Sequence, residues 1–145
     1  MNMQRNRRSF LKTISIITSG SMCGVAMQVL QGCASYRSLV FTDNAGIIAV
    51  PRSQFKVKKD GVINFMHLPS PIYLKEHSED EYTAVLLECT HKQCEVSPTG
   101  RILICPCHGS EFSDKGSVLT GPAEQNLYNF KVTLDKESIY VRLTD

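Results

Sequence analysis

The chain has 145 residues, 42% of them hydrophobic and 21% charged, with a formal charge of +2. That charge misleads: Arg5, Arg7, Arg8 and Lys12 stand at the front, and beyond residue 33 there are 12 Lys and Arg against 14 Asp and Glu. Such a balance excludes an electrostatic track along DNA or RNA, so no nucleic-acid partner is expected. A body of about 110 residues can bury one modest core, and it has little space for a separate substrate domain.

In chain order, residues 1–33 read as a targeting segment. The basic stretch Asn6-Arg7-Arg8-Ser9-Phe10-Leu11-Lys12 precedes an apolar run from Ile14 to Leu30 that also holds Ser, Thr and Gly, the form of a secretory signal. The arginine pair with Phe10 and Leu11 resembles the twin-arginine export signal of bacteria, which implies a protein exported already folded with its cofactor inside. Leu30-Gln31-Gly32-Cys33 resembles a lipoprotein processing box, with Cys33 as the lipidated first residue of the mature chain. Lipidation at Cys33, retention of Ile14–Leu30 as an uncleaved anchor, and full release all stay open. At 17 residues that run sits at the lower edge for a membrane span. In the first two cases the domain is tethered at the periplasmic, outer face of the cytoplasmic membrane. Cys23 reads as a small apolar filler.

Residues 34–44 read as a polar-leaning linker, and 45–145 as the folded domain. Its apolar runs are short: Gly46–Val50, Phe55–Val57, Val62–Phe65, Ile72–Leu74, Thr83–Cys89, Arg101–Cys105, Tyr128–Leu134 and Ser138–Leu143. Turns fall at Pro51, Lys59–Gly61, Pro69–Pro71, Ser97–Gly100 and Asp135–Glu137. No stretch shows helical periodicity, so an all-β domain of small antiparallel sheets is predicted. The last two runs make the cleanest hairpin, Phe130, Val132 and Leu134 alternating with polar neighbours and facing Ile139, Val141 and Leu143. Phe65, Tyr128 and Phe130 are assigned to the core. Lys56, Lys58 and Lys59 form the only dense basic patch. His67 and His77 read as ordinary histidines, and Glu79-Asp80-Glu81 as a solvated loop.

Of six cysteines, four fall between positions 89 and 107, together with His91 and His108 nearby. Cysteines this crowded suggest a metal site rather than a general disulfide scaffold. The groups are Cys89-Thr90-His91-Lys92-Gln93-Cys94 and Cys105-Pro106-Cys107-His108-Gly109-Ser110, each where a strand runs out into a loop. Two rigid strands presenting two loop tips to one point would preorganise a small site. Two Cys and two His could also hold zinc, as in a structural zinc lipoprotein. A zinc finger, however, puts its pairs on a hairpin and a helix, and here two cysteines remain over.

These hexapeptides resemble the Rieske iron–sulfur family, whose pattern is Cys-x-His and then Cys-x-x-His with an extra cysteine in each loop. The resemblance spans Glu88 to Ala123 and extends loosely to the last hairpin. It implies a small antiparallel β-sandwich of Rieske type with a cluster-binding subdomain of two loops, and one [2Fe–2S] cluster per chain. Cys89 and Cys105 would bind one iron, and His91 and His108 the other. Neutral imidazoles in place of two thiolates favour the reduced state, raising the potential to roughly −150 to +300 mV from about −400 mV. Cys94 and Cys107 would form a disulfide, permitted outside the cytoplasm. Such a cysteine pair is more frequent in the branch that includes quinol-oxidising complexes and the small subunit of arsenite oxidase than in the soluble ferredoxin-like members. The Ser110 hydroxyl would donate to a cluster sulfur, Gly109 would allow a close turn, and Gly121-Pro122-Ala123 would shield the cluster.

Departures from the pattern are informative. Lys92 stands where quinol-oxidising members carry an apolar residue that docks on cytochrome b, and Gln93 replaces a common glycine. Phe112 keeps the bulk of a frequent tyrosine without its donor, which lowers the expected potential. Thirteen residues separate His91 from Cys105, a short gap, and Glu124 takes the place of a second proline. The implied function is one-electron transfer, as carrier or subunit of a respiratory-type redox complex, with no substrate chemistry of the chain's own. Implied partners are a cytochrome b, a cytochrome c or a molybdenum enzyme subunit. In the alternative, the chain is the iron–sulfur subunit of a quinol-oxidising enzyme complex.

Overall fold

The computed structural model describes residues 36–144. The signal, anchor and Cys33 lipidation expectations lie outside the described residues. Among those residues the fold is all-β, as expected, with one turn of 3-10 helix at Arg52–Phe55. No helix among them is long and apolar enough to cross a membrane.

The strands are β1 (Thr42–Asn44), β2 (Ile47–Pro51), β3 (Asp60–Ile63), β4 (Ile72–Ser78), β5 (Glu81–Leu86), β6 (Ser97–Pro98), β7 (Ile102–Ile104), β8 (Glu111–Ser113), β9 (Val118–Thr120), β10 (Asn129–Leu134) and β11 (Ser138–Arg142). They form a seven-stranded sheet, β1-β2-β11-β10-β5-β4-β3, and a four-stranded sheet, β6-β7-β8-β9. Every strand pair is antiparallel. β5 and β10 are neighbours in the large sheet, and the Leu86 N–H donates to the Tyr128 carbonyl at 2.9 Å. The chain between them, residues 87–128, leaves and returns at adjacent points, and it builds the whole small sheet with both Cys/His loops.

Alternation explains the large sheet. Ile139 faces Val50 and Val141 faces Ile48 in register, all fully buried, so β-branched pairs pack directly across the ladder. Asp135 closes the β10–β11 turn, its carboxylate accepting the Glu137 and Ser138 N–H groups at 2.8 and 2.7 Å.

The strands β3, β4 and β5 do something the sequence does not announce. Ile63, Ile72, Leu74 and Ala84 point into one core, shared with β2, β11 and Phe55. Val62, Tyr73 and Val85, cross-strand partners on the other face, point into a second core with Leu103, Phe112, Cys89 and Cys105. The single expected core is thus two, separated by a three-stranded wall. A wall buried on both faces needs continuous apolar runs rather than alternation, which is why Ile72-Tyr73-Leu74 reads as it does. Tyr73 is wholly buried, and its hydroxyl donates to Asp60 Oδ2 at 3.0 Å. Burial, with Asp60 adding to it, raises the Tyr73 phenol far above its ordinary value.

Three expectations change. Phe55–Val57 is not a strand: Phe55 is 1% exposed and Val57 91%, an opposition that residues two apart on one strand face cannot have. Tyr128 is half exposed rather than core, stacked edge-on against Phe130 with ring centroids 4.9 Å apart. The stretch read as a linker packs onto the domain from Tyr36 onward. Leu39 is buried and bonded to the Val62 carbonyl at 2.8 Å, and β1 follows it. Gly61 permits this crossing, since a Cβ there would stand 2.7 Å from the Leu39 side chain.

Lys75 on β4 braces the small sheet against the large one. Its ammonium pairs with Asp114 Oδ2 at 2.8 Å and donates to the Gly100 carbonyl at 3.0 Å. Burial acts to raise the Asp114 carboxyl, but Lys75 outweighs it and holds it below the usual carboxylate value.

Candidate metal centre

Buried Leu87 after β5 and Leu103 on β7 fix the stems of the two loops. Loops 89–94 and 105–110 then follow one hydrogen-bond scheme. In each, the first cysteine's carbonyl accepts an N–H from four residues on, Gln93 to Cys89 at 2.7 Å and Gly109 to Cys105 at 3.0 Å. In each, that cysteine's N–H donates to the carbonyl five residues on, Cys94 at 2.9 Å and Ser110 at 2.8 Å. Both turns place their fifth residue at positive φ, 57° for Gln93 and 75° for Gly109. Glycine adopts that conformation freely, whereas a residue with a Cβ is strained by roughly 1–2 kcal/mol.

The loops bring the expected residues together as two pairs, the cysteines and the histidines. Cys89 and Cys105 are free thiols, each 1% exposed. Burial opposes ionisation of Cys89, yet the backbone N–H of His91, the Cys105 thiol, the backbone N–H of Lys92 and the Ser110 hydroxyl together pull it below the ordinary thiol value. His91 and His108 meet edge to face with ring centroids 4.9 Å apart. His91 Nδ1 is buried with no hydrogen-bond partner. Two buried free thiols and an imidazole nitrogen left unsatisfied form a donor set that a thiolate- and imidazole-loving metal centre satisfies. The residues fit a cluster with two Cys and two His ligands.

The expected disulfide is present: Cys94 and Cys107 are joined, with an S–S distance of 2.05 Å and Cα atoms 6.5 Å apart. The sulfurs of Cys94, Cys105 and Cys107 all lie within 4.8 Å of one another. The first and third are taken up by the disulfide, which leaves Cys105 as the donor among them. The bond ties the sixth residue of one loop to the third of the other, so the loops cannot part while it is intact.

The segment after Gly121-Pro122 is fastened to both loops. The Ala123 N–H donates to Ser110 Oγ at 3.0 Å, and Thr90 Oγ1 donates to the Gln125 carbonyl at 2.6 Å. Ser110 is fully buried. Its oxygen accepts from Ala123, and its hydroxyl is among the groups that lower the Cys89 thiol. Sequence reasoning passed over Thr90, although a hydroxyl between two ligands was the available signal. A cavity of about 500 Å³ opens beside His91, lined by Thr90, Pro122, Glu124 and Gln125. His91 is half-buried, and His108 and Lys92 are exposed. Phe112 is fully buried and opposite Leu103. His67 packs against Phe65, and His77 hydrogen-bonds Thr83; neither joins the site. In the acidic loop, Asp80 pairs with Arg52 and Glu81 with Lys115.

A small all-β domain with two cysteine–histidine loops, tied by one disulfide and converging at buried thiols, defines an iron–sulfur-type metal protein. The Rieske [2Fe–2S] domain family matches residues 47–131, and the chain belongs to that family. It is similar to the cytochrome b6-f complex iron–sulfur subunit of Prochlorococcus marinus, 37% identical over 76 residues, covering 50% of this chain and 43% of that protein. A second relative of the same name, from Synechococcus, is 26% identical over 151 aligned positions, covering 93% of this chain and 83% of its own length. The chain thus spans less than half the length of the first relative it matches. Among solved structures, the cyanobacterial plasma membrane Rieske protein of Synechocystis superposes with a TM-score of 0.55 at 29% identity, covering 70% of this chain and 99% of that one. A complex of reduced oxygenase and oxidized ferredoxin in carbazole 1,9a-dioxygenase shares the fold, with a TM-score of 0.53 at 21% identity. Family membership implies a [2Fe–2S] cluster.

Proposed function

We propose that this protein passes single electrons at the outer face of the bacterial cytoplasmic membrane, with Cys89 and Cys105 ligating one iron and His91 and His108 the other. Residues 1–33 act as export signal and tether, and the chain from Tyr36 onward, β1 included, as the redox domain. The observation that carries the proposal is the convergence of two buried free thiols and two touching imidazoles on loops locked by the Cys94–Cys107 disulfide. When bound, the cluster supplies a one-electron centre whose potential the imidazole ligands raise.

The chain's own residues do the rest. Cys89 is held ready to ionise by the N–H groups and hydroxyl around it. Ser110 keeps one donor aimed at that sulfur, which favours the added negative charge. The disulfide and the two ties to the Pro122 segment hold the ligands so that little rearranges with each electron. Exposed His108 marks where the electron enters and leaves. Lys92 puts a cation beside that point, which suits an acidic protein partner such as a cytochrome or a molybdenum enzyme subunit.

A second reading, the iron–sulfur subunit of a quinol-oxidising complex, is favoured by the names of the relatives. The charged tip at Lys92 argues against apolar docking on a membrane cytochrome. Metal and sulfide analysis with the electron paramagnetic resonance spectrum of the reduced protein tests the cluster. Two irons and two sulfides per chain with a reduced-state signal are expected, while zinc without a signal overturns the proposal. A redox titration over pH tests the ligands: a midpoint unchanged up to pH 10 would count against exposed histidine ligation. Steady-state turnover with a membrane quinol pool separates the two readings.

A further inference from the structure

The basic patch contributes no residue to the metal centre, and the fold gives it a neighbour. Residues 36–41 and 52–59 run side by side. Gln54 bonds Val40 twice, accepting its N–H at 3.0 Å and donating to its carbonyl at 2.6 Å. Arg37 reaches across to the carbonyls of Lys58 at 3.4 Å and Asp60 at 3.2 Å. Together the two stretches carry Arg37, Arg52, Lys56, Lys58 and Lys59 and no acid. Arg52 and Lys59 are paired, with Asp80 at 3.5 Å and Glu76 at 2.7 Å. Lys56 and Lys58 have no ion-pair partner among the described residues.

Between those two lysines stands Val57, 91% exposed, and across the Gln54 bonds stands Val40, 74% exposed. An apolar side chain held out in water between free ammonium groups is unfavourable in isolation. At the boundary of a bilayer the same pattern is favourable, because the apolar groups enter the acyl boundary while the ammoniums meet phosphate. The chain also arrives at this corner. Only five residues separate Leu30, the end of the apolar run, from Tyr36, a span of about 20 Å at full extension.

We propose that Lys56, Val57, Lys58 and Val40 form a docking surface for the headgroups of an anionic phospholipid leaflet, which presses the domain onto the membrane that tethers it. This rests on the tether proposed above. The docked head presents one fixed orientation to its partners instead of swinging freely on its leader.

The chain contains no tryptophan, so Val57→Trp creates a single fluorescent probe in the full-length, cluster-loaded protein. It is reconstituted into vesicles of phosphatidylglycerol and phosphatidylcholine, with and without brominated acyl chains. Leu119→Trp, at an exposed position on β9, serves as the control. Brominated lipid is expected to quench the Val57→Trp protein and not the Leu119→Trp protein, in anionic vesicles and not in pure phosphatidylcholine. High salt is expected to abolish the effect, since at 1 M screening acts within about 3 Å. Each lysine lost lowers the ratio of docked to undocked heads about fivefold, so Lys56→Glu with Lys58→Glu removes the quenching. Protein that floats with the vesicles while the indole at position 57 stays unquenched overturns the docking surface and leaves the tether standing. Protein that does not float overturns the tether and the docking together. Quenching of equal size in phosphatidylcholine overturns the anionic headgroup as occupant.

Discussion

The two loops of the centre are near copies in backbone and unlike in sequence. Each reverses through the same two hydrogen bonds around its cysteine and sets its fifth residue at positive φ. Loop 105–110 does this with Gly109, loop 89–94 with Gln93. The sixth residue is a buried hydroxyl in one and a disulfide cysteine in the other. The geometry is therefore fixed by the requirement to present a cysteine and a histidine to one point, and different side chains satisfy it at different cost. Strain at Gln93 is tolerated because the Cys94–Cys107 bond and the Thr90 tie hold that loop from both ends.

The largest break in this symmetry is Cys105→Ser, which is expected to abolish iron binding, read as iron per chain and as loss of the visible absorption. Next is the double variant Cys94→Ser, Cys107→Ser, which unties the loops. The loaded protein is expected to lose about 3 kcal/mol of stability, measured by reversible denaturation under oxidising conditions. The fifth positions then answer in opposite senses. Gln93→Gly is expected to stabilise the fold and Gly109→Ala to destabilise it, each by about 1 kcal/mol, because no atom lies within 4 Å of a Cβ built on Gly109 and only backbone strain is at issue. A matched loss in both would show that the loops are not equivalent.

Phe112→Tyr restores a donor to the core around the two thiols. One hydrogen bond of about 1 kcal/mol in favour of the reduced state corresponds to a rise of about 40 mV, read by redox titration. The wild-type midpoint itself is expected in the lower half of the range of roughly −150 to +300 mV. The smallest effect belongs to the brace. Asp114 is depressed by Lys75, so the pair stabilises the fold above the ordinary carboxylate range and ceases to do so as pH falls through the lowered value. Lys75→Met is expected to cost about 1 kcal/mol or less at pH 7. That deficit should shrink as pH falls through the lowered Asp114 value; a deficit unchanged in acid would assign the loss to packing and to the bond to the Gly100 carbonyl.

Much of this was legible in the sequence. The paired hexapeptides marked the loops because cysteine and histidine at those spacings have few other uses, and alternation in 128–143 marked the last hairpin. The short strands β8 and β9 escaped, since three residues such as Glu111-Phe112-Ser113 carry too little periodicity to stand out from a loop. The packing of Leu39 and the reach of Arg37 escaped because each depends on partners more than a dozen residues away. The division into two cores escaped for a related reason. An apolar run shows that both faces of a strand are buried, but not against what. Gln93 could be read as an oddity, yet its left-handed backbone follows only from the hydrogen bonds that close the loop.

The return of residue 128 beside residue 86 has a consequence for how such a protein is assembled. Seen from the large sheet, residues 87–128 replace the turn of an ordinary hairpin between β5 and β10. The ends of the excursion are already clamped one hydrogen bond apart, so closing it costs little chain entropy once the sheet exists. The metal-bearing part is in effect one long insertion, and its core covers the outer face of β3, β4 and β5, where Val62, Tyr73 and Val85 are buried. Scaffold and insertion therefore share the β3–β5 wall, and an antiparallel pair that received the same excursion would also have to offer it an apolar face.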